Sequence, residues 1–139
     1  MLGAVTQHAQ GPFRVQVVDD NPALRAVTCL EIELAEGMEL VGEAADGAQA
    51  LVVAGQQHPD AILLDLDMPG MGGLEALPHL RRIVPGATIV IFTSDDSPRS
   101  RREAERRGAA SYVLKGSSGV HDVLTVLRAA RAPGGPREP

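Results

Sequence analysis

One cysteine (Cys29), no tryptophan, one tyrosine and two phenylalanines are all that 139 residues carry of these types. A lone thiol closes no intramolecular disulfide, and with four scattered histidines it forms no zinc-ligand spacing. That chemistry leads us to expect a reducing cytoplasm. So few aromatic rings provide no stacking platform for single strands or RNA. Basic charge is not in excess either: 13 Lys and Arg face 18 Asp and Glu, a net of −5. A whole-chain basic footprint is therefore absent, and direct nucleic-acid binding by this chain is not expected. No apolar run approaches the ~18 residues of a membrane span. The opening MLGAVTQHAQGP lacks the basic segment and long apolar core of a signal peptide, so no membrane association is expected. What is present, 44 % hydrophobic and 22 % charged residues, is the composition of one ordinary globular domain.

Short apolar runs alternate with helix-period segments along the chain. Strands are expected at 14–19 (RVQVVD), 39–44, 61–65 (AILLD), 88–93 (TIVIFT) and 111–115 (SYVLK). Between them, Asn21-Pro22 offers an N-cap and a first helical position. Leu24, Val27, Leu30 and Leu34 then recur at spacings of 3, 3 and 4, the pattern of an inward helix face that Gly37 can close. A second helix is expected at 48–57 with Leu51 and Ala54 inward. A third is expected at about 74–83, where Pro78 should kink the helix or delay its start because it cannot bond the Leu74 carbonyl. Ser97-Pro98 caps a fourth that ends at Gly108. Its sequence, PRSRREAERR, has Ala104 as its only clearly apolar residue, so capping and neighbours must hold it. Val120, Val123, Leu124 and Leu127 mark a fifth helix. We expect a domain over 13–132, an N-terminal extension at 1–12 and a Pro/Gly-rich tail at 133–139.

Five strands alternating with five helices specify an α/β fold: a parallel sheet covered on both faces. Ligands in such sheets bind outside the carboxyl ends of the strands. Those ends carry Asp19 and Asp20, then Asp65 with Asp67, then Thr93 and Ser94, then Lys115. Taken singly, each is an ordinary cap, turn former or solvated charge. Taken together, they bring three carboxylates from two strands to one edge, which demands compensation. A hard divalent cation with oxygen ligands is the simplest one, and Mg²⁺ needs few carboxylates because it keeps several waters. Lys115 adds a compact positive charge and Thr93 a hydroxyl donor.

The segments VVDDNPALR, LLDLDMPGMGG, IFTS and YVLKG resemble the signature segments of response-regulator receiver domains of two-component signalling. The resemblance implies a flavodoxin-like doubly wound sheet of order 2-1-3-4-5. It also implies a switch that takes a phosphoryl group from a sensor histidine kinase. Carried over residue by residue, it makes Asp65 the phosphoacceptor, Asp20 the direct Mg²⁺ ligand and Asp19 the outer acidic partner. The backbone carbonyl of Asp67 completes the coordination. Thr93 and Lys115 meet the phosphoryl group, and Tyr112 is the aromatic whose rotamer reports activation. A homodimer or output partner is expected on helix 4, strand 5 and helix 5, and YVLKG is most similar to receivers joined to helix-turn-helix output domains.

Three positions depart from the family pattern. Gly116 stands where many receivers have proline, Asp67 adds an acid two residues past the acceptor, and Pro78 lies inside a helix. Asp67 and Asp95 are expected to flank the path of attacking water, with Asp95 near Lys115 and orienting that water. A phosphatase of the haloacid-dehalogenase type, using Asp65 and Asp67 of the hhhDxD run in LLDLD, is the alternative. It fits less well, because that motif belongs on a first strand followed by Gly-Thr. A receiver degraded to a binding module is the third reading, and no position is missing that would favour it.

Overall fold

The computed structural model describes residues 11–116 and 119–131. The expected 1–12 extension and 133–139 tail lie almost wholly outside them. Five strands, β1 (Phe13–Val18), β2 (Met38–Ala44), β3 (Ala61–Leu64), β4 (Thr88–Thr93) and β5 (Ser111–Leu114), form one parallel sheet of order β2-β1-β3-β4-β5. Between and after them run α1 (Pro22–Leu34), α2 (Gly47–Gln57), α3 (Gly73–Ile83), α4 (Pro98–Arg106) and α5 (Val120–Arg131). The doubly wound α/β expectation holds, with strand ends shifted by a residue: Asp19, Asp65 and Lys115 follow their strands instead of ending them.

Strand alternation divides the core in two. Val18, Ile62, Leu64, Ile89 and Ile91 face Ala50, Ala54, Leu77, Leu80 and Ala104 on α2, α3 and α4. Val15, Val17, Leu63, Val90 and Phe92 face Cys29, Ile32, Val123 and Leu127 on α1 and α5. Both faces are buried, which explains why the strands read as near-continuous apolar runs.

Helix α1 starts as expected, with Asn21 accepting from the Leu24 N–H at 3.0 Å and Pro22 at the first position. Its inward face is another matter. Val27, Leu30 and Leu34 are 52 %, 52 % and 73 % exposed, and the buried residues are Thr28, Cys29 and Ile32. Thr28 goes inward because its hydroxyl bonds the Leu24 carbonyl at 3.0 Å within the helix, so it buries no unpaired donor. The helix ends at Leu34, and Gly37 takes its φ of +82° in the turn to β2 instead of closing the helix.

Helix α3 also departs from expectation. It begins at Gly73, so Pro78 does not delay it. The carbonyl that Pro78 leaves unbonded, that of Leu74, accepts from Arg107 Nη1 at 2.7 Å. Arg107 lies just past α4 and is held by Glu103 at 2.6 Å. The proline of one helix and the arginine after the next thus answer each other, and the charged α4 gains an anchor beyond the buried Ala104. We expect Arg107→Ala to destabilise the protein in the native background and much less in Pro78→Ala, where an N–H is restored to Leu74. Urea unfolding of the four-member cycle should give a coupling of about 1–2 kcal/mol. Additive effects would show that the two residues act independently.

Candidate functional site

The parallel register sets Val18, Leu64, Ile91 and Tyr112 side by side, so the residues just beyond them emerge at one edge. The Asp65 N–H donates to the Val18 carbonyl at 3.0 Å and the Lys115 N–H to that of Thr93 at 2.9 Å, which extends the ladder into the site. Asp19, Asp65 and Thr93 are buried, and the Lys115 side chain is 14 % exposed.

Asp65 is held through both oxygens. Its Oδ1 accepts from Thr93 Oγ1 at 2.9 Å and from the Asp67 N–H at 3.2 Å. Its Oδ2 meets Lys115 Nζ at 2.9 Å. The same ammonium lies 2.8 Å from Asp19 Oδ2, while Asp19 Oδ1 accepts from the Asn21 N–H at 2.9 Å. Lys115, the one lysine of the chain, therefore bridges two buried carboxylates. Burial pulls its pKa down, but hydrogen bonds and charge from Asp19 and Asp65 outweigh that and leave it raised above 10.5. Carboxylate oxygens of Asp19, Asp20 and Asp65 lie within 4.8 Å of one another, an all-oxygen donor set that suits a hard divalent cation. Asp20 is the exposed member.

Of the residues expected here, Asp19, Asp20, Asp65, Thr93 and Lys115 are brought together. The Asp67 side chain is exposed, with its backbone at Asp65. Tyr112 is half-buried beside the site, its hydroxyl donating to the Asp95 carbonyl at 2.6 Å and its ring 4.5 Å below the Arg101 guanidinium. Burial and the Asp95 charge push the phenol up to about 12, so it stays a donor. Gly116 does not prevent Lys115 from reaching Asp65.

Asp95 is a correction. Its carboxylate does not pair with Lys115. It accepts from Ser100 Oγ at 2.6 Å and the Ser97 N–H at 2.9 Å, which ties it to the start of α4, where Ser97 is the N-cap. These bonds, Ser100 first, hold its pKa below 3.8. Spacing from Thr93 gives proximity but not the direction of a side chain, and the Ser97 N–H two residues on and the Ser100 hydroxyl draw this carboxylate into a local turn instead. The sequence reading also missed Arg25, whose Nη1 donates to the Asp19 carbonyl at 2.7 Å and whose Nε pairs with Glu43 at 3.1 Å. An arginine in the first turns of a helix, where the dipole disfavours it, was the available signal.

This fold, with its acidic edge opposite a lysine, defines a receiver, and residues 15–126 match the response regulator receiver domain family; the chain belongs to it. Among curated proteins it is similar to the nitrate/nitrite response regulator proteins of Escherichia coli K12. It is 39 % identical to NarL over 123 residues, covering 88 % of this chain and 56 % of the relative. To NarP it is 42 % identical over 121 residues, covering 87 % and 54 %. The chain thus spans little more than half the length of these relatives. Among solved structures, a LuxR-family two-component response regulator from Aurantimonas sp. SI85-9A1 superposes with a TM-score of 0.82 at 34 % identity, over 90 % of this chain and 88 % of that one. The receiver domain of the putative response regulator NarL from Mycobacterium tuberculosis gives 0.76 at 33 %, over 85 % and 98 %.

Proposed function

We propose that this receiver, over 13–132, accepts a phosphoryl group on Asp65 from the phosphohistidine of a sensor histidine kinase. The observation that carries the reading is the Asp65 carboxylate, fixed by Thr93 and Lys115 beside the Asp19–Asp20 pair. In the transfer a P–O bond forms at an Asp65 oxygen as the P–N bond of the donor breaks, and the imidazole leaves with a proton. Asp20, Asp65 and the Asp67 carbonyl would hold Mg²⁺, with Asp19 as the outer acidic partner, and the ion would supply charge neutralisation. Lys115 pairs with a phosphoryl oxygen, and Thr93 turns its hydroxyl from Asp65 Oδ1 to another.

Thr93 Oγ1 also lies 3.4 Å from the Asp95 N–H, and Asp95 in turn holds Tyr112 and the start of α4. A turn of Thr93 is therefore felt at α4 and β5. There Arg101, Tyr112, Leu114 and Val126 line a groove of about 360 Å³, the surface we assign to a second copy or an output partner. The role is that of a signalling domain in the cytoplasm. The reading fits a stand-alone receiver and the receiver part of a longer two-component transcriptional regulator alike. The phosphatase alternative is weaker here: the DxD run follows the third strand, and its second carboxylate is exposed.

The test is incubation with acetyl phosphate and Mg²⁺, followed by mass spectrometry of the intact chain and its peptides. One phosphoryl adduct is expected, on the Asp65 peptide, absent in Asp65→Asn and without turnover of a phosphomonoester. An adduct on another residue, or none, would remove the assignment.

A further inference from the structure

Arg25 occupies a place that electrostatics disfavours. It lies in the opening turns of α1, its N–H bonded to the Asn21 carbonyl at 2.8 Å, near the positive end of the helix dipole. Its side chain points back toward the helix start, as helical side chains do. There the guanidinium fork spans the Asp19 carbonyl at 2.7 Å and Glu43 Oε1 at 3.1 Å. Glu43 precedes Ala44 on β2, and the Ala44 carbonyl takes the Asp19 N–H at 3.0 Å. The Asp19 backbone is thus gripped from both sides by the end of β2, directly and through Arg25.

The consequence falls on Asp20. Its carboxylate makes no hydrogen bond or ion pair with the described residues, so only its backbone aims it at the acidic edge. The Asp19 carbonyl belongs to the same rigid peptide plane as the Asp20 nitrogen and Cα. A bond that orients that carbonyl orients Asp20. We propose that Arg25 is a positioning residue for divalent-cation binding, holding Asp20 in a ligating direction through the Asp19–Asp20 peptide and braced by Glu43. This rests on the proposed metal site.

Charge and position predict opposite signs. Arg25 as a mere cation near three carboxylates would repel Mg²⁺, so its removal would tighten binding. Arg25 as a brace makes its removal weaken binding, and support of this kind is worth about tenfold in metal affinity. The experiment is calorimetric titration of the intact chain with Mg²⁺, paired with melting curves with and without the ion. Arg25→Met should raise the Mg²⁺ Kd about tenfold, while saturating Mg²⁺ restores acetyl phosphate labelling of Asp65. A purely structural role would instead lower Tm equally with and without Mg²⁺ and leave Kd alone.

Glu43→Ala, at a side chain 51 % exposed and safe for folding, should also raise Kd. It frees the guanidinium from its brace; charge alone predicts the same direction for this variant, so the sign in Arg25→Met decides between the two roles. Unchanged or tighter Mg²⁺ binding in Arg25→Met overturns the proposal. Wild type is the control on the underlying site: Mg²⁺ binding that is lost in Asp20→Asn supports it, and no binding by wild type brings down the site and the role of Arg25 together.

Discussion

Replacing Lys115 by Met is expected to lower the stability of the metal-free protein by about 3 kcal/mol and to slow phosphoryl labelling of Asp65 roughly 100-fold. The ammonium lies 2.8 and 2.9 Å from two carboxylates that are themselves 4 % and 5 % exposed, so its loss leaves buried charge without a counter-charge. The figure is at the lower end for a broken buried pair because the Lys115 side chain keeps 14 % exposure in an open cleft. The pH dependence follows from the raised pKa of Lys115. In wild type its contribution is complete below 10.5 and is lost as pH climbs past that value. In the variant this alkaline loss disappears. Mg²⁺, which can replace the missing charge, should stabilise the variant more than wild type. Urea unfolding between neutral and alkaline pH, with and without Mg²⁺, makes the measurement. Metal-free stability equal to wild type would mean that the bridging ammonium contributes nothing net.

Gly73→Ala should lower stability by about 3 kcal/mol, a fall in Tm of about 10 °C. It should also depress Asp65 labelling even where the protein remains folded. Helix α3 begins against the backbone of the acceptor, with the Gly73 N–H donating to the Leu66 carbonyl at 3.0 Å. A methyl group on Gly73 would overlap the Asp65 carbonyl oxygen and sit 2.8 Å from Leu66 Cα, neither of which can rotate away. Either the helix start or the Asp65 peptide must shift. Gly86→Ala, where the added carbon meets nothing within 4 Å, is the control and should be close to neutral. Thermal melts and labelling of both variants test this, and a Gly73→Ala protein with native Tm and labelling would show that the loop yields without cost.

The two predictions mark different depths of legibility in the sequence. Lys115, Thr93 and the three aspartates could be picked out from strand ends alone, because a parallel sheet delivers the residues after each strand to one edge whatever the packing beneath. The five strands and the Asn21-Pro22 and Ser97-Pro98 helix starts were equally accessible, since these depend on local pattern and short-range capping, whereas the strand order came from the family resemblance. The face that α1 buries did not follow from pattern. A 3-4 repeat of Leu and Val describes an apolar stripe, but which stripe turns inward depends on how the helix docks across β1, β2 and α5, and here Thr28, Cys29 and Ile32 took that place. The contact made by Gly73 likewise needs two chain segments to be set in space before it exists.

Side-chain direction is where sequence ceased to suffice. Its distance from Thr93 puts Asp95 near the site, yet the Ser97 N–H and the Ser100 hydroxyl take its carboxylate. Pro78 reads in sequence as a kink or a late start of α3, yet Arg107, 29 residues on by the numbering, supplies the donor that its ring removes. Arg25 ends the VVDDNPALR segment, but only the meeting of α1 with the ends of β1 and β2 gives it Asp19 and Glu43 to hold. Sequence by itself determined the sheet, the helices and the chemistry at the strand ends, because periodicity and strand polarity are local properties of a chain. Tertiary structure decided which helix face is buried, which carboxylates meet Lys115 and which arginine supports the site, because those outcomes depend on partners that become neighbours only when the chain has folded.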